Sequence, residues 1–247
     1  MSGNSKWLAV VLVAVISAGG SGYYSYHKQQ ERRQAEQRLM QDMQRAQQQM
    51  DQANSGQAVV QKLDETTQAT GQTGRTELAM RQIINQVIEV RNGYTQEIAA
   101  LQLDKLLEAS NLQADPDLSQ SLARLDKAAA VVERYRLKSK DLLDHAHDQL
   151  AAKGVGAADL NSFDAGLRKN RSASDETWTL EARIVVEMRS VMELLRQHPK
   201  HWTLQGGQLT FNNPSSLNQY QQHIRTIQEL VAREQSLQQQ MSLNHQS

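Results

Sequence analysis

The chain has 247 residues, no cysteine, three prolines, and 27 basic against 27 acidic side chains for a formal net charge of +0. Balanced charge leaves no global field to gather nucleic acid, and the missing cysteine removes disulfides, thiolate chemistry and lipoprotein attachment together. Scarce proline with abundant Ala, Leu, Gln, Glu and Arg, which lose least on entering a helix, predicts an all-α protein.

After a short tail over 1–6, apolar residues run uninterrupted from Trp7 to Ile16, followed by Ser17-Ala18-Gly19-Gly20-Ser21-Gly22 and Tyr23-Tyr24. A spanning helix needs about 20 predominantly apolar residues, so 7–24 reads as a transmembrane signal-anchor in contact with the bilayer, with Trp7, Tyr23 and Tyr24 at its interfaces. The rival reading is a cleaved signal peptide, with Lys6 as its basic start and Ala18 and Gly20 before the cut. Ala14, Ala18 and Gly22 recur every fourth residue on one face and are candidates for close membrane-helix packing. Lys28, Arg32, Arg33 and Arg38 outnumber Lys6, which by the positive-inside rule argues for a cytoplasmic body; the signal-like layout argues for export. The expectation adopted is a single-pass protein of a bacterial inner membrane with a periplasmic body.

Residues 25–56 form a Gln-rich helical stalk in this reading. Leu39, Met43, Ala46, Met50 and Ala53 recur at steps of four and three, the seam of a coiled coil, or of a solvated single helix if no partner covers it. Residues 57–75 read as a linker, since the polar run from Asp64 to Arg75 is rich in Thr and Gly.

The folded body is expected over 76–238 as an antiparallel helical bundle. Its first helix starts at Thr76 and runs through Asn92-Gly93, with Ile83, Ile84, Val87, Tyr94 and Ile98 on one face. A second starts at Asp115-Pro116 and stops at Gly154 and Gly156. A third holds Leu160, Phe163 and Leu167, and a fourth follows Ser172 and ends at His198-Pro199. Between Trp202 and Phe211 the pattern alternates around Gly206-Gly207, predicting a β-hairpin that pairs Trp202 with Phe211 and Leu204 with Leu209. A last helix begins at Asn213-Pro214 with Leu217, Tyr220, Ile224, Ile227 and Val231 at heptad spacing, and 239–247 is expected to fray.

Chemistry is sparse. Asp144, His147 and Asp148 share a helix face and offer oxygen and nitrogen ligands for a divalent ion; histidines near a helix C-terminus are also favoured by its dipole. Met40, Met43 and Met50 could ligate copper, although core or seam filling explains them better. No GxSxG, phosphate-cradling glycine loop or HExxH occurs. The expectation is therefore a non-enzyme without cofactor: a membrane-anchored structural or protein-interaction module, with protein partners or self-association through stalk and bundle and no nucleic acid. A small-ligand sensor built between bundle helices, and a metal-binding protein using Asp144, His147 and Asp148, are the alternatives.

Overall fold

A computed structural model describes residues 29–53 and 59–243. Among them are six helices: α1 (Gln29–Ala53), α2 (Gly71–Ala100), α3 (Ala109–Ala114), α4 (Ser119–Ala152), α5 (Ala157–Gln197) and α6 (Pro214–Leu243). A 3-10 turn at Leu103–Lys105 follows α2, and the two-stranded sheet β1 (Trp202–Gln205) and β2 (Gln208–Phe211) separates α5 from α6. The fold is all-α with one hairpin. The expected membrane helix over 7–24, with Ala14, Ala18 and Gly22, lies outside the described residues. No helix among the described residues is long and apolar enough to cross a membrane.

Cross-helix pairs fix the directions. Gln86 meets Gln149 and Glu97 meets Arg134, so α2 and α4 run antiparallel. Arg171 with Asp144 and Arg189 with Asp126 do the same for α4 and α5, and Arg233 with Glu176 and His223 with Glu187 for α5 and α6. Each of these helices buries the apolar stripe that its 3.6-residue period dictates. One end of the core joins α1, α2, the C-terminal half of α4 and the start of α5, around Ile83, Ile88, Leu150 and Phe163. The other joins α2, α4, α5, the hairpin and α6, around Tyr94, Leu125, Trp178 and Leu195.

The amino-terminal third departs most from the sequence reading. The seam residues Leu39, Met43 and Ala46 are buried, and they pack on Ile83, Val87 and their neighbours in the same chain. Arg38 reaches Glu77 and Asp42 reaches Arg81, so α1 and α2 run parallel. Two parallel helices need a return segment, and residues 59–70 run back along α2 in extended form. That strap is held by the side chains of α2. Asn92 accepts from Val60 N–H at 3.0 Å and donates to Val60 C=O at 2.8 Å. Asn85 repeats the arrangement at Leu63, at 2.7 and 2.9 Å. Arg81 donates to the Asp64 carbonyl at 3.1 Å and Thr67 Oγ1 donates to Glu77 at 2.6 Å. An asparagine amide presents one donor and one acceptor, as a neighbouring β-strand would, and so satisfies backbone groups that burial would otherwise leave unpaired. The polar run that reads as a linker is thus part of the packed structure, with Val60, Leu63 and Ala69 buried.

Other boundaries shift for local reasons. Helix α2 starts at Gly71, which places Thr76 inside it, its hydroxyl 3.4 Å from Asp159. The dipeptide Asn92-Gly93 stays helical because Asn92 is engaged with Val60, while Gly93 makes room for Tyr135: a Cβ there would lie 2.5 Å from the Tyr135 phenol oxygen. Helix α4 begins at Ser119, later than Asp115-Pro116 suggested. The Asp115 carboxylate caps it from a distance, accepting from Gln120 N–H at 3.2 Å and Ser121 N–H at 2.7 Å. To make that turn, Leu118 adopts φ 58°, and its fully buried side chain compensates the strain. The two helices expected around Leu160 and after Ser172 are one, α5, of 41 residues. Asn170 and Thr179 bond back to carbonyls one turn earlier, so the polar stretch between them is absorbed without a break.

The hairpin pairs Trp202 with Phe211 and Leu204 with Leu209, as the alternation requires. Gly206 and Gly207 both have positive φ, the mirror-image turn that suits a two-residue loop. Trp202 Nε1 donates to the Leu195 carbonyl at 2.9 Å, and the four apolar side chains lie on the core. Replacing Asn85 by Ala strands the Leu63 N–H and C=O inside the protein. Denaturant unfolding should show a loss of about 1–3 kcal/mol, and Asn92→Ala, at a less buried rung, a smaller one.

Candidate functional site

Asp144, His147 and Asp148 lie on α4, and the first two have separate partners. Asp144 is held by Lys140 and by Arg171, the latter at 2.5 Å, and these two cations keep its carboxyl below the usual range. His147 Nδ1 lies 2.9 Å from Asp164 of α5. Asp144 and His147 thus reach different partners on α5, Arg171 and Asp164, and among the described residues no three acidic or histidine side chains form a metal-binding group. His198 and His201 stack 4.8 Å apart beside the hairpin, where His201 Nδ1 meets Ser216 Oγ at 2.8 Å. Met43 is core, and Met40 packs against the same cluster.

A shallow apolar depression of ≈ 270 Å³ lies beside Tyr220 and Ile224 on α6. It is smaller than the concave sites that enclose small ligands, and its lining lacks a convergent set of polar groups.

Two charged clusters stand out instead. The first ties α1 to α2. Glu77 is buried and is met by Arg38 at 3.3 Å, Arg81 at 3.0 Å and Thr67 at 2.6 Å. Burial pushes the Glu77 carboxyl up, yet these partners together hold it below the usual carboxylate range. Arg81 is buried too and divides its guanidinium between Glu77 and Asp42, the latter at 2.7 Å. At the start of α1, Arg32 reaches Asp159 of α5 at 3.0 Å. Helix α1 is therefore bonded into the body from its first turn.

The second cluster is acidic and lies between three helices. Glu181 of α5 and Glu234 of α6 are 5% and 2% exposed, and Tyr94 of α2 is 1% exposed. Glu181 lies within hydrogen-bonding reach of both Glu234 and Tyr94. Tyr94 Oη, Glu181 Oε1 and Glu234 Oε1 are buried without a partner in well-aligned hydrogen-bond geometry among the described residues. Thr177 Oγ1 and Trp178 Nε1, buried on the adjoining turn of α5, also lack a partner. Tyr94 packs edge-on against Trp178 at 5.2 Å and Tyr135 at 5.8 Å. No cation among the described residues acts on the pair; burial raises Glu181 to about 7, and burial together with the Glu181 charge raises Glu234 to about 11. Burial and Glu181 also push the Tyr94 phenol well up.

The sequence carries a trace of this cluster. Glu181 stands three residues after Trp178 and three before Ile184, on the apolar stripe of α5. Glu234 occupies the next position of the series Leu217, Tyr220, Ile224, Ile227, Val231, where a seam residue belongs. A carboxylate at a core position on each of two helices is the signal, and it is legible only once the helices are known to face each other.

No family model, curated protein or solved structure matches the chain.

Truncating one partner of a buried ion pair leaves the other charge uncompensated. Arg81→Met should therefore destabilise the protein by about 3–5 kcal/mol in denaturant unfolding. His147→Ala removes a half-exposed pair and should cost under about 1 kcal/mol.

Proposed function

We propose that this is a single-pass, membrane-anchored envelope protein of the bacterial inner membrane, and that its periplasmic helical bundle is a structural or protein-interaction module. The observation that carries the reading is α1. Its apolar seam is buried against α2, Glu77 and Arg81 lock the two helices, and Arg32 is tied to Asp159. The body is thus mounted directly on the chain that leaves the apolar segment 7–24. A free stalk gives way, in this proposal, to a bundle seated at the bilayer.

The mount sets an orientation. The start of α1, the start of α2, the end of α4 and the start of α5 share one end of the bundle, as Arg32–Asp159, Thr76–Asp159 and Gln72 bonded to the Gly154 carbonyl at 2.5 Å require. The hairpin lies beyond the far end of α5, whose 41 residues span about 60 Å. The module would hold its hairpin away from the membrane. The absence of the common hydrolase, phosphate-binding and metalloprotease motifs supports a non-enzymatic task.

The cysteine-free sequence makes the test direct. Single cysteines at Lys153 and at Gln208, labelled with a donor dye in the full chain reconstituted into vesicles with an acceptor lipid, should differ sharply in energy transfer. High transfer at Lys153 with low transfer at Gln208 is the expected result. Equal transfer at the two sites, or a chain that leaves the membrane fraction without detergent, would reject the mounted-bundle reading.

A further inference from the structure

We infer that the contact between Glu181 and Glu234 is a proton-operated latch, which holds α6 on α5 while the pair keeps a proton and loosens the C-terminal half of α6 when the proton is lost. Two carboxyl groups in contact inside a protein, with no cation between them, cannot both be ionised without a large electrostatic cost. Sharing one proton turns the same contact into an attraction, because the acid then donates to the carboxylate. The site is a place where that difference counts. Beyond Ile227, α6 is fastened by a small apolar cluster of Leu180, Ile184, Leu230 and Leu237, apart from the two larger clusters, and by the exposed pair Arg233–Glu176. The carboxyl pair sits within this thin attachment.

Among the described residues no cation acts on either carboxyl, the buried Arg91 one turn before Tyr94 on α2 included. From α2 the titratable group facing it is Tyr94, a donor that stays protonated. From α4 comes Tyr135, which packs on Tyr94 but donates its own proton to Glu97 at 2.8 Å and lies under Arg134 and Lys138. From α5 and α6, Glu176 is taken by Arg233 and Glu187 by His223 at 2.7 Å. His223 is the other titratable bridge between α5 and α6 and has to be separated in the experiment.

The direction follows from linkage. An open or unfolded chain releases both protons near the ordinary carboxyl value of 4.5, whereas the closed pair holds them to about 7 and about 11. The closed form therefore binds more protons above pH 4.5, and its advantage falls as pH rises. Below that value both forms are protonated and the latch contributes its full stabilisation.

Hydrogen exchange of the backbone of residues 230–237 in the full chain, referred at each pH to the intrinsic exchange rate, reads the latch. Protection should fall by about tenfold per pH unit for each proton released between pH 5 and 7. Glu181→Gln with Glu234→Gln, a pair of neutral isosteres, should make protection flat with pH, and His223→Gln should leave the fall intact. If the double variant does not fold, Glu234→Gln alone should reduce the slope. Protection that is flat in the unaltered protein, an unchanged slope in the Gln variants, or a slope abolished by His223→Gln each overturns the proposal.

Discussion

The structure depends on solving one problem: an extended strap laid against the body must have its backbone groups satisfied. Asn85 and Asn92, two turns apart on α2, each give a donor and an acceptor to the strap, and Arg81 and Glu77 continue the row. Because the strap runs back along α2, α1 is forced to lie parallel to α2 and to bury its seam there. The same row supplies Glu77 and Arg81 to α1, so one line of polar side chains serves both neighbours. Without it, α1 would be the free stalk that its composition suggests.

How much of this was readable in the sequence varied with the range of the determining contacts. The hairpin was legible to the register, since alternation around Gly206-Gly207 is set locally by side-chain direction and turn geometry. The start of α6 at Pro214 was legible for the same kind of reason. The start of α4 was misplaced because the Asp115 carboxylate caps residues five and six positions on, beyond the span of the usual capping rule. The strap was missed because its signal lies elsewhere, in two asparagines on a helix that intrinsic preference would have placed at a turn. In the same way, Glu181 and Glu234 look like ordinary members of amphipathic helices until α5 and α6 are brought face to face.

The two charged clusters show how burial is managed in opposite ways. Glu77 keeps its charge because Arg38, Arg81 and Thr67 meet it, which fixes the arrangement of α1 on α2 across the ordinary pH range. Among the described residues Glu181 and Glu234 have each other and a phenol and no arginine, so protonation has to do what the arginines do for Glu77. Local preference and global fold conflict at the helical Asn85 and Asn92, at the left-handed Leu118, and where Glu181 and Glu234 each take a core position. Conflicts of that kind gather at places that are asked to do more than pack.

The parallel placement of α1 has a mechanical consequence. Tension entering through the residues before Gln29 acts along the axis of α1, and α1 can leave only by sliding past α2. Arg32–Asp159, Arg38–Glu77, Asp42–Arg81 and the apolar seam would then be loaded in shear, all at once, instead of being peeled open one after another. An antiparallel α1 attached by a short turn would unzip from its end. The strap thus lets the first helix meet a pull along its axis with several bonds at once.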